Sequence, residues 1–280
     1  MTPLRLALIG ANIGRSRFAA GQALLAEAHE LTVEYTAIDT ADEPDFDFVS
    51  TVDLLRADGF WATSVTHPWK PAAASYAGAA MDPETAPLGA ANILVFRPAL
   101  RGHNTDYLGT LGAWRHVMGA TGPGRVAMAG AGGVARAIAP ALMRLGAADI
   151  AIWDTDAARA ETLAAEIGGV ARAVPAETAE ETARNADGLV NATPLGMAGY
   201  GGTAFPDGWI AGQSWAFDAV YTPTWTAFLV AADTRGLTCI TGFDLFRFMA
   251  LHWFETATGH APDPDTALPA LATLQPKEEA

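Results

Sequence analysis

Apolar and polar positions follow two rhythms along this chain, one of strands and one of helices. Residues 4–9 (LRLALI) read as a buried strand running into Gly10, residues 17–28 as a helix with separable faces, and residues 31–38 as a second strand. Residues 42–47 are polar and hold Pro44, which marks a loop. Helical spacing returns over 49–57 and strand-like spacing over 59–66. Pro68 and Pro71 then make 66–71 an ordered turn rather than a helix interior, because proline lacks an N–H and restricts its predecessor. Strands alternating with helices predict a parallel sheet with crossovers, and this first series closes near Asp106.

A second series starts at Arg125. It reads strand (RVAMAG), helix (133–145), strand (DIAIWD), helix (157–167), then short strands over 188–192, 215–220 and 237–240. Such a run predicts a doubly wound domain, and the Gly/Pro segment 119–124 is the expected boundary before it. Residues 243–256 form an aromatic-rich helical pattern expected to pack back on the first domain. The Pro/Ala/Glu-rich stretch after His260 is of low complexity. The fold class is therefore α/β with two domains, residues 1–110 plus 243–280 and residues 111–242.

Composition narrows the partners. Half of the 280 residues are hydrophobic and 17% are charged, the balance of a compact protein. A net charge of −14 disfavours nucleic acid and anionic membrane surfaces. No apolar run reaches the roughly 18 residues of a spanning helix, since Arg136 and Arg144 interrupt the Ala-rich stretch. The N-terminal segment lacks a cleavage pattern, so a cytoplasmic location is expected. Cys239 is the single cysteine and reads as a small buried hydrophobe, and the six histidines show no paired metal-ligand spacing, so no metal is expected. His67 and His103 are the two that could line a cleft, and Trp69 the aromatic that could wall one.

Residues 130–135, GAGGVA, have the form G-x-G-x-x-A between a strand and a helix. Glycines there permit a tight turn and close approach of backbone to a pyrophosphate, whose charge the helix N-terminus meets. Gly130, Ala131, Gly132, Gly133 and Val134 thus form a Rossmann-type cofactor loop. Asp154 ends the next strand about 20 residues on, where a carboxylate can accept from ribose hydroxyls and would repel the extra phosphate of NADP. NAD is expected over NADP, with Arg159, otherwise a solvated helix residue, as the rival phosphate reader. In the first domain, SVTHPWK ends in Lys70 and HNTD ends in Asp106. A lysine can exchange a proton with an oxygen that gains charge as hydride arrives, and a carboxylate can orient it, although spacing alone does not bring the two together.

Six segments in order, GANIGRSRF, SVTHPWK, GAAN, HNTD, GAGGVA and NATPLGM, make nearly the whole chain resemble the shikimate/quinate dehydrogenase family. The resemblance implies that Lys70 and Asp106 are the catalytic pair of a ring-alcohol oxidation, shikimate to 3-dehydroshikimate or quinate to 3-dehydroquinate. It implies that Ser16, Thr66, Asn92 and Tyr221 bind a small cyclic hydroxy acid, and that Thr193, Ala219 and Gly242 lie near the nicotinamide. The first domain would hold substrate, the second NAD, with the active site in the cleft between them. Departures accompany these matches. Phe18 replaces a usual second Ser, Ser64 a usual Asn, and Met249 a usual Gln, each at a substrate-facing place. Asp154, Thr155 and Asp156 replace the N-R-T/S phosphate reader, resembling the NAD-using branch. These losses leave two alternatives, a paralogue for another cyclic substrate and a non-catalytic ligand sensor; the oligomeric state is open between monomer and homodimer.

Overall fold

The computed structural model describes residues 3–276, apart from the Arg15 side chain. The expected limits at 1 and 280 thus run beyond the described residues. The chain divides into two compact units, one of residues up to 105 with 249–274, the other of 106–248 with residues from 275 on.

The first unit is built on a five-stranded sheet of order β2-β1-β3-β4-β5. β1 (Leu4–Gly10), β2 (Val33–Asp39) and β3 (Ala62–Val65) are parallel, and β4 (Ile93–Val95) and β5 (Arg101–His103) are added antiparallel. β1 is apolar at successive positions because both its faces are covered. Ala7 and Ile9 join a core with Phe48, Val52 and Leu55 of α2 (Phe48–Ala57) and Ala73 of α3 (Lys70–Ala77). Leu6 and Leu8 face the opposite way, and α1 (Phe18–Ala28) buries Phe18 and Leu25.

The second unit opens with α4 (Thr105–Met118), whose first residue, Thr105, closes the first unit. It carries a six-stranded parallel sheet of order β11-β10-β9-β6-β7-β8. Its strands are β6 (Arg125–Ala129), β7 (Asp149–Trp153), β8 (Ala171–Ala173), β9 (Gly188–Asn191), β10 (Trp215–Asp218) and β11 (Thr238–Ile240). The crossovers are α5 (Ala135–Arg144), α6 (Ala157–Ile167), α7 (Ala179–Arg184) and α8 (Ala227–Thr234). Strand order reverses between β6 and β9, the switch point beside which doubly wound sheets bind ligands.

α9 (Gly242–Thr258) belongs to the second unit as far as Phe248 and to the first from Met249. Within the first unit it is fastened by Gln22 Nε2 donating to Ala250 O at 3.3 Å and by Trp61 Nε1 donating to Ala257 O. Trp253 meets the Phe18 ring edge-on at 5.1 Å. The stretch after His260 departs from its low-complexity reading, for it contains α10 (Pro264–Ala272). Asp263 accepts there from Asp265 N at 3.1 Å, and Pro264 sits in the first turn, where a missing N–H costs nothing. Residues 277–280 lie outside the described part.

Candidate active site

In the first unit, the segments flagged from the sequence converge on one loop. Lys70 opens α3, so the turn expected over 66–71 ends at Trp69, whose N–H donates to Thr66 O at 2.9 Å. Pro71 lies in the first helical turn, where its lack of an N–H is harmless. The Lys70 carbonyl accepts from Ala91 N at 2.9 Å. The next residue, Asn92, is buried; its Oδ1 accepts from Thr105 N at 2.7 Å and Thr105 Oγ1 at 3.1 Å. Thr105 begins α4 and Asp106 follows in its first turn, the positive end of the helix dipole. One pair of residues, Ala91 and Asn92, thereby ties down the backbone at Lys70 and at Thr105, directly before Asp106.

The remaining positions of this unit fall in three places. Ser16 is exposed after a short 3-10 turn, with its Oγ accepting from Phe18 N at 3.3 Å. Asp39 holds that loop by accepting from Asn12 N at 2.9 Å and Ile13 N at 3.0 Å. The Ala41 amide, followed by these two, keeps the Asp39 carboxyl below its ordinary range. Sequence reasoning missed Asp39, although an acidic residue ending a strand beside a glycine turn is a usable signal. Ser64 is buried within β3, and Thr66 sits just beyond it, its N–H donating to Ile9 O at 2.9 Å. Met249 is half-buried on α9.

His103 and Trp69 have structural partners. Asn104 N donates to His103 Nδ1 at 2.9 Å, and Asp82 Oδ1 lies 3.6 Å from Nε2. Burial lowers the His103 pKa against the pull of Asp82. Trp69 packs between Phe46 and Phe48 and donates to Thr40 Oγ1 at 2.8 Å, so its ring belongs to the core.

The second unit gathers the other set at the carboxyl ends of β6, β9 and β10. Gly130 has φ +97°, and a Cβ there would stand 2.9 Å from the Ala192 carbonyl and from Thr193 Cγ2. Only glycine fits between these strand ends without displacement. Ala131 N donates to Asp154 Oδ2 at 2.8 Å, and Asp154 Oδ1 accepts from Asp156 N at 3.0 Å and Thr155 Oγ1 at 3.2 Å. Burial works to raise the Asp154 pKa. The Asp156 and Ala131 amides, with Arg159 and Thr155, outweigh it and hold the carboxyl below its usual range. Gly132 and Gly133 face open space, except that the Arg159 guanidinium lies 3.6 Å from where a Gly132 Cβ would be. Val134 precedes the first turn of α5.

Beside this cradle runs a network in which Asn191, Asp218 and Thr226 had no role in the sequence reading. Asn191 Oδ1 accepts from Thr193 N at 3.0 Å and Thr193 Oγ1 at 2.6 Å, while its Nδ2 donates to Asp218 Oδ1 at 2.9 Å. Asp218 also accepts from Val220 N at 2.9 Å and Thr226 Oγ1 at 2.6 Å. Burial pushes its pKa up to about 6 although these donors favour the carboxylate. Ala219 N donates to Asn191 O at 2.9 Å, and Gly242 lies against the Ala219 and Val220 carbonyls. Tyr221 stacks on Phe246 with ring centroids 5.9 Å apart.

Residues 8–94 match the shikimate dehydrogenase substrate binding domain, and residues 115–195 match the shikimate / quinate 5-dehydrogenase family. The "Quinate/shikimate dehydrogenase (NAD(+))" of Corynebacterium efficiens is 32% identical over 267 residues, 92% of this chain and 94% of that one. The chain belongs to the shikimate/quinate dehydrogenase family. A second relative, the "Shikimate dehydrogenase (NADP(+))" of Maricaulis maris, is 36% identical over 219 residues, 78% of each chain. Among solved structures, quinate dehydrogenase from Corynebacterium glutamicum in complex with NAD superposes with a TM-score of 0.89 at 30% identity, covering 97% of this chain and 99% of that one. The two-domain α/β architecture expected from the sequence is that of the family.

The glycine cradle also suits the nicotinamide dinucleotides named for these relatives. The Gly130 turn leaves room for close backbone approach, Gly132 and Gly133 are open, and Asp154, which accepts from Ala131 N, Asp156 N and Thr155 Oγ1, keeps a single acceptor site on Oδ2 for a ribose hydroxyl.

Proposed function

We propose that this member of the shikimate/quinate dehydrogenase family reversibly oxidises a ring hydroxyl of a cyclic hydroxy acid, shikimate or quinate, with NAD preferred over NADP. The observation that carries the reading is the fastening of the Lys70 and Thr105 backbones to adjacent residues of one loop, on the motifs that the family's ring chemistry uses. The dinucleotide, when held by Gly130, Ala131, Gly132, Gly133, Val134 and Asp154, supplies hydride acceptance. Lys70 takes the hydroxyl proton as the ring carbon gives up its hydride, and returns it to the carbonyl oxygen in reverse. Asp106, buried at a helix start, orients the lysine and balances its charge. Ser16, Thr66, Asn92 and Tyr221 hold the acid, while Thr193, Ala219 and Gly242 line the nicotinamide side.

The cofactor preference rests on Asp154 and Thr155 standing where a phosphate reader would be. A carboxylate facing an extra phosphate should favour NAD by roughly 1–3 kcal/mol, or about ten- to a hundredfold, with the Arg159 guanidinium beside Gly132 as the opposing charge. The test is the ratio of kcat/KM for shikimate and quinate with the two dinucleotides. A preference for NADP would overturn this part and assign Arg159, beside Gly132, as the reader. Another cyclic substrate is the second reading, favoured by Met249 and not by Phe18, whose ring is buried against Tyr35 and Trp253, and turnover of neither acid would select it.

A further inference from the structure

At the carboxyl ends of β9 and β10, within the second unit, hydrogen bonds run in one series from Thr193 through Asn191 and Asp218 to Thr226. Backbone groups, which can bond in only one direction, fix its polarity. Asn191 Nδ2 donates to the Leu195 carbonyl at 3.0 Å as well as to Asp218 Oδ1, and Asn191 Oδ1 faces the Thr193 N–H, so the side-chain amide stands only one way round. Thr193 Oγ1 must then give its proton to Asn191 Oδ1, and it accepts from Leu195 N at 3.1 Å. Asp218 Oδ1 accepts from both Asn191 Nδ2 and Val220 N, so a proton taken up by this carboxyl sits on Oδ2, toward Thr226 Oγ1. The link from Asn191 to Val220 is therefore the same in both protonation states.

This series lies between two places where backbone passes backbone with no room for a side chain. The Ala192 carbonyl and Thr193 Cγ2 stand 2.9 Å from where a Cβ on Gly130 would be. The Val220 and Ala219 carbonyl oxygens stand 2.4 and 2.6 Å from where one on Gly242 would be. Asp218 joins the two: through Asn191 it braces Thr193 and the exit of β9, and through Val220 N it braces the exit of β10. Asn191 and Asp218 are both fully buried, so water does not compete for these bonds. Asp154 braces the glycine loop separately, through Ala131 N.

We propose that Asp218 is a positioning residue for the nicotinamide end of the dinucleotide, its carboxyl fixing the exits of β9 and β10 so that Thr193 and Ala219 meet the ring in the orientation hydride transfer needs. This rests on the reading above, in which Thr193, Ala219 and Gly242 line the nicotinamide. Asp218 itself is covered by its three donors and does not touch the cofactor; it controls where its neighbours stand. The adenosine half, held by Asp154 and the glycine loop, is indifferent to it.

The experiment compares the affinities of NAD and of ADP-ribose, which lacks the nicotinamide, on the unmodified protein, Asp218→Ala, Asp218→Asn and Asn191→Ala, with kcat for shikimate and quinate and melting temperature alongside. Asp218→Ala should weaken NAD about 10-fold and lower kcat about 10-fold or more, while ADP-ribose affinity changes less than about twofold. Asp218→Asn should recover most of both losses, because its carbonyl oxygen still accepts from Asn191 and Val220 and its amide can donate to Thr226. Asn191→Ala removes the link between Asp218 and Thr193, so it should show the same selective loss, and it carries the test should Asp218→Ala not fold. NAD affinity and kcat unchanged, ADP-ribose weakened as much as NAD, or an Asp218→Asn protein as impaired as Asp218→Ala would each overturn the proposal. An unmodified protein that turns over neither acid overturns the functional reading itself, is told apart because it shows before any substitution, and leaves the ratio of the two affinities to decide on Asp218.

Discussion

Replacing Gly242 with alanine sets two effects of opposite sign against each other. Alanine in a helix is ordinarily better than glycine by about 0.5–1 kcal/mol. At this position, however, the new Cβ would stand 2.4 Å from Val220 O, 2.5 Å from Val220 C and 2.6 Å from Ala219 O. These are backbone atoms leaving β10, so the clash is relieved only by moving the helix start or the strand exit by roughly 1 Å to reach ordinary contact. The helix start resists. Thr241 N donates to Asp244 Oδ2 at 2.9 Å and Asp244 N donates to Thr241 Oγ1 at 3.0 Å, a reciprocal cap that the shift would loosen. Overpacking of this kind costs about 1–3 kcal/mol, and loss of a cap about 1 more, so the net expectation is a loss of about 1–3 kcal/mol. For a unit of this size that is a fall in Tm of about 3–10 °C. Gly133→Ala is the control, because no atom lies within 4 Å of its Cβ and its backbone is not left-handed. Calorimetry or circular dichroism on both variants decides. A Gly242→Ala protein melting within a degree of the unmodified one would refute the steric reasoning.

Two further substitutions probe the site. Lys70→Ala should cut kcat by about 10²–10⁴ while dinucleotide affinity and melting temperature stay as they are, and Asp106→Asn should also be severe; near-normal turnover in Lys70→Ala, measured by nicotinamide absorbance, removes the lysine from the mechanism. For Asp218 the folded pKa, about 6, lies above the ordinary 3.8, so its stabilising contribution is present below about pH 4 and lost as pH rises through 6. The difference amounts to about 3 kcal/mol, at 1.36 kcal/mol per tenfold change in proton affinity. Asp218→Asn removes the titration, so the variant's Tm relative to the unmodified protein should improve between pH 4 and pH 7, and a constant offset would show that the three donors keep Asp218 ionised throughout.

Legibility in the sequence followed burial. β1, covered on both faces, is apolar at every position from Leu6 to Ile9, and the loop after β6 carries its glycines because the chain must pass the Ala192 carbonyl at close range. β4, β5 and β8 are three residues each, too short for a period to register, and β11, equally short, was legible only as one more step in the regular series of strands. α4 was obscured by Gly109 and Gly112, which weaken its helical rhythm. The boundary expected at 110 to 124 falls in the structure at 105, since α4 groups with the segment that follows it. A Gly/Pro segment marks a turn but does not say which unit the preceding helix joins.

At the expected site, motif order could not say what each side chain does. Trp69 precedes Lys70, yet its ring packs with Phe46 and Phe48 because the first turn of α3 sends successive side chains in different directions. Asn92, assigned by resemblance to substrate, spends Oδ1 on Thr105 N and Oγ1, and its Nδ2 donates to the same hydroxyl at 3.0 Å. Its side chain therefore sets where α4 begins and, through that, where Asp106 stands. Any contact it makes with a ring acid would come in addition, from the second Nδ2 hydrogen. Loss of activity on replacing Asn92 would therefore not by itself assign it to substrate, because the substitution also releases the start of α4. Tyr35 and Trp253 were invisible for the complementary reason. Each lies in a segment whose pattern is accounted for by core packing, and only the register of β2 on β1 and the contact of α9 with α1 bring both rings against Phe18.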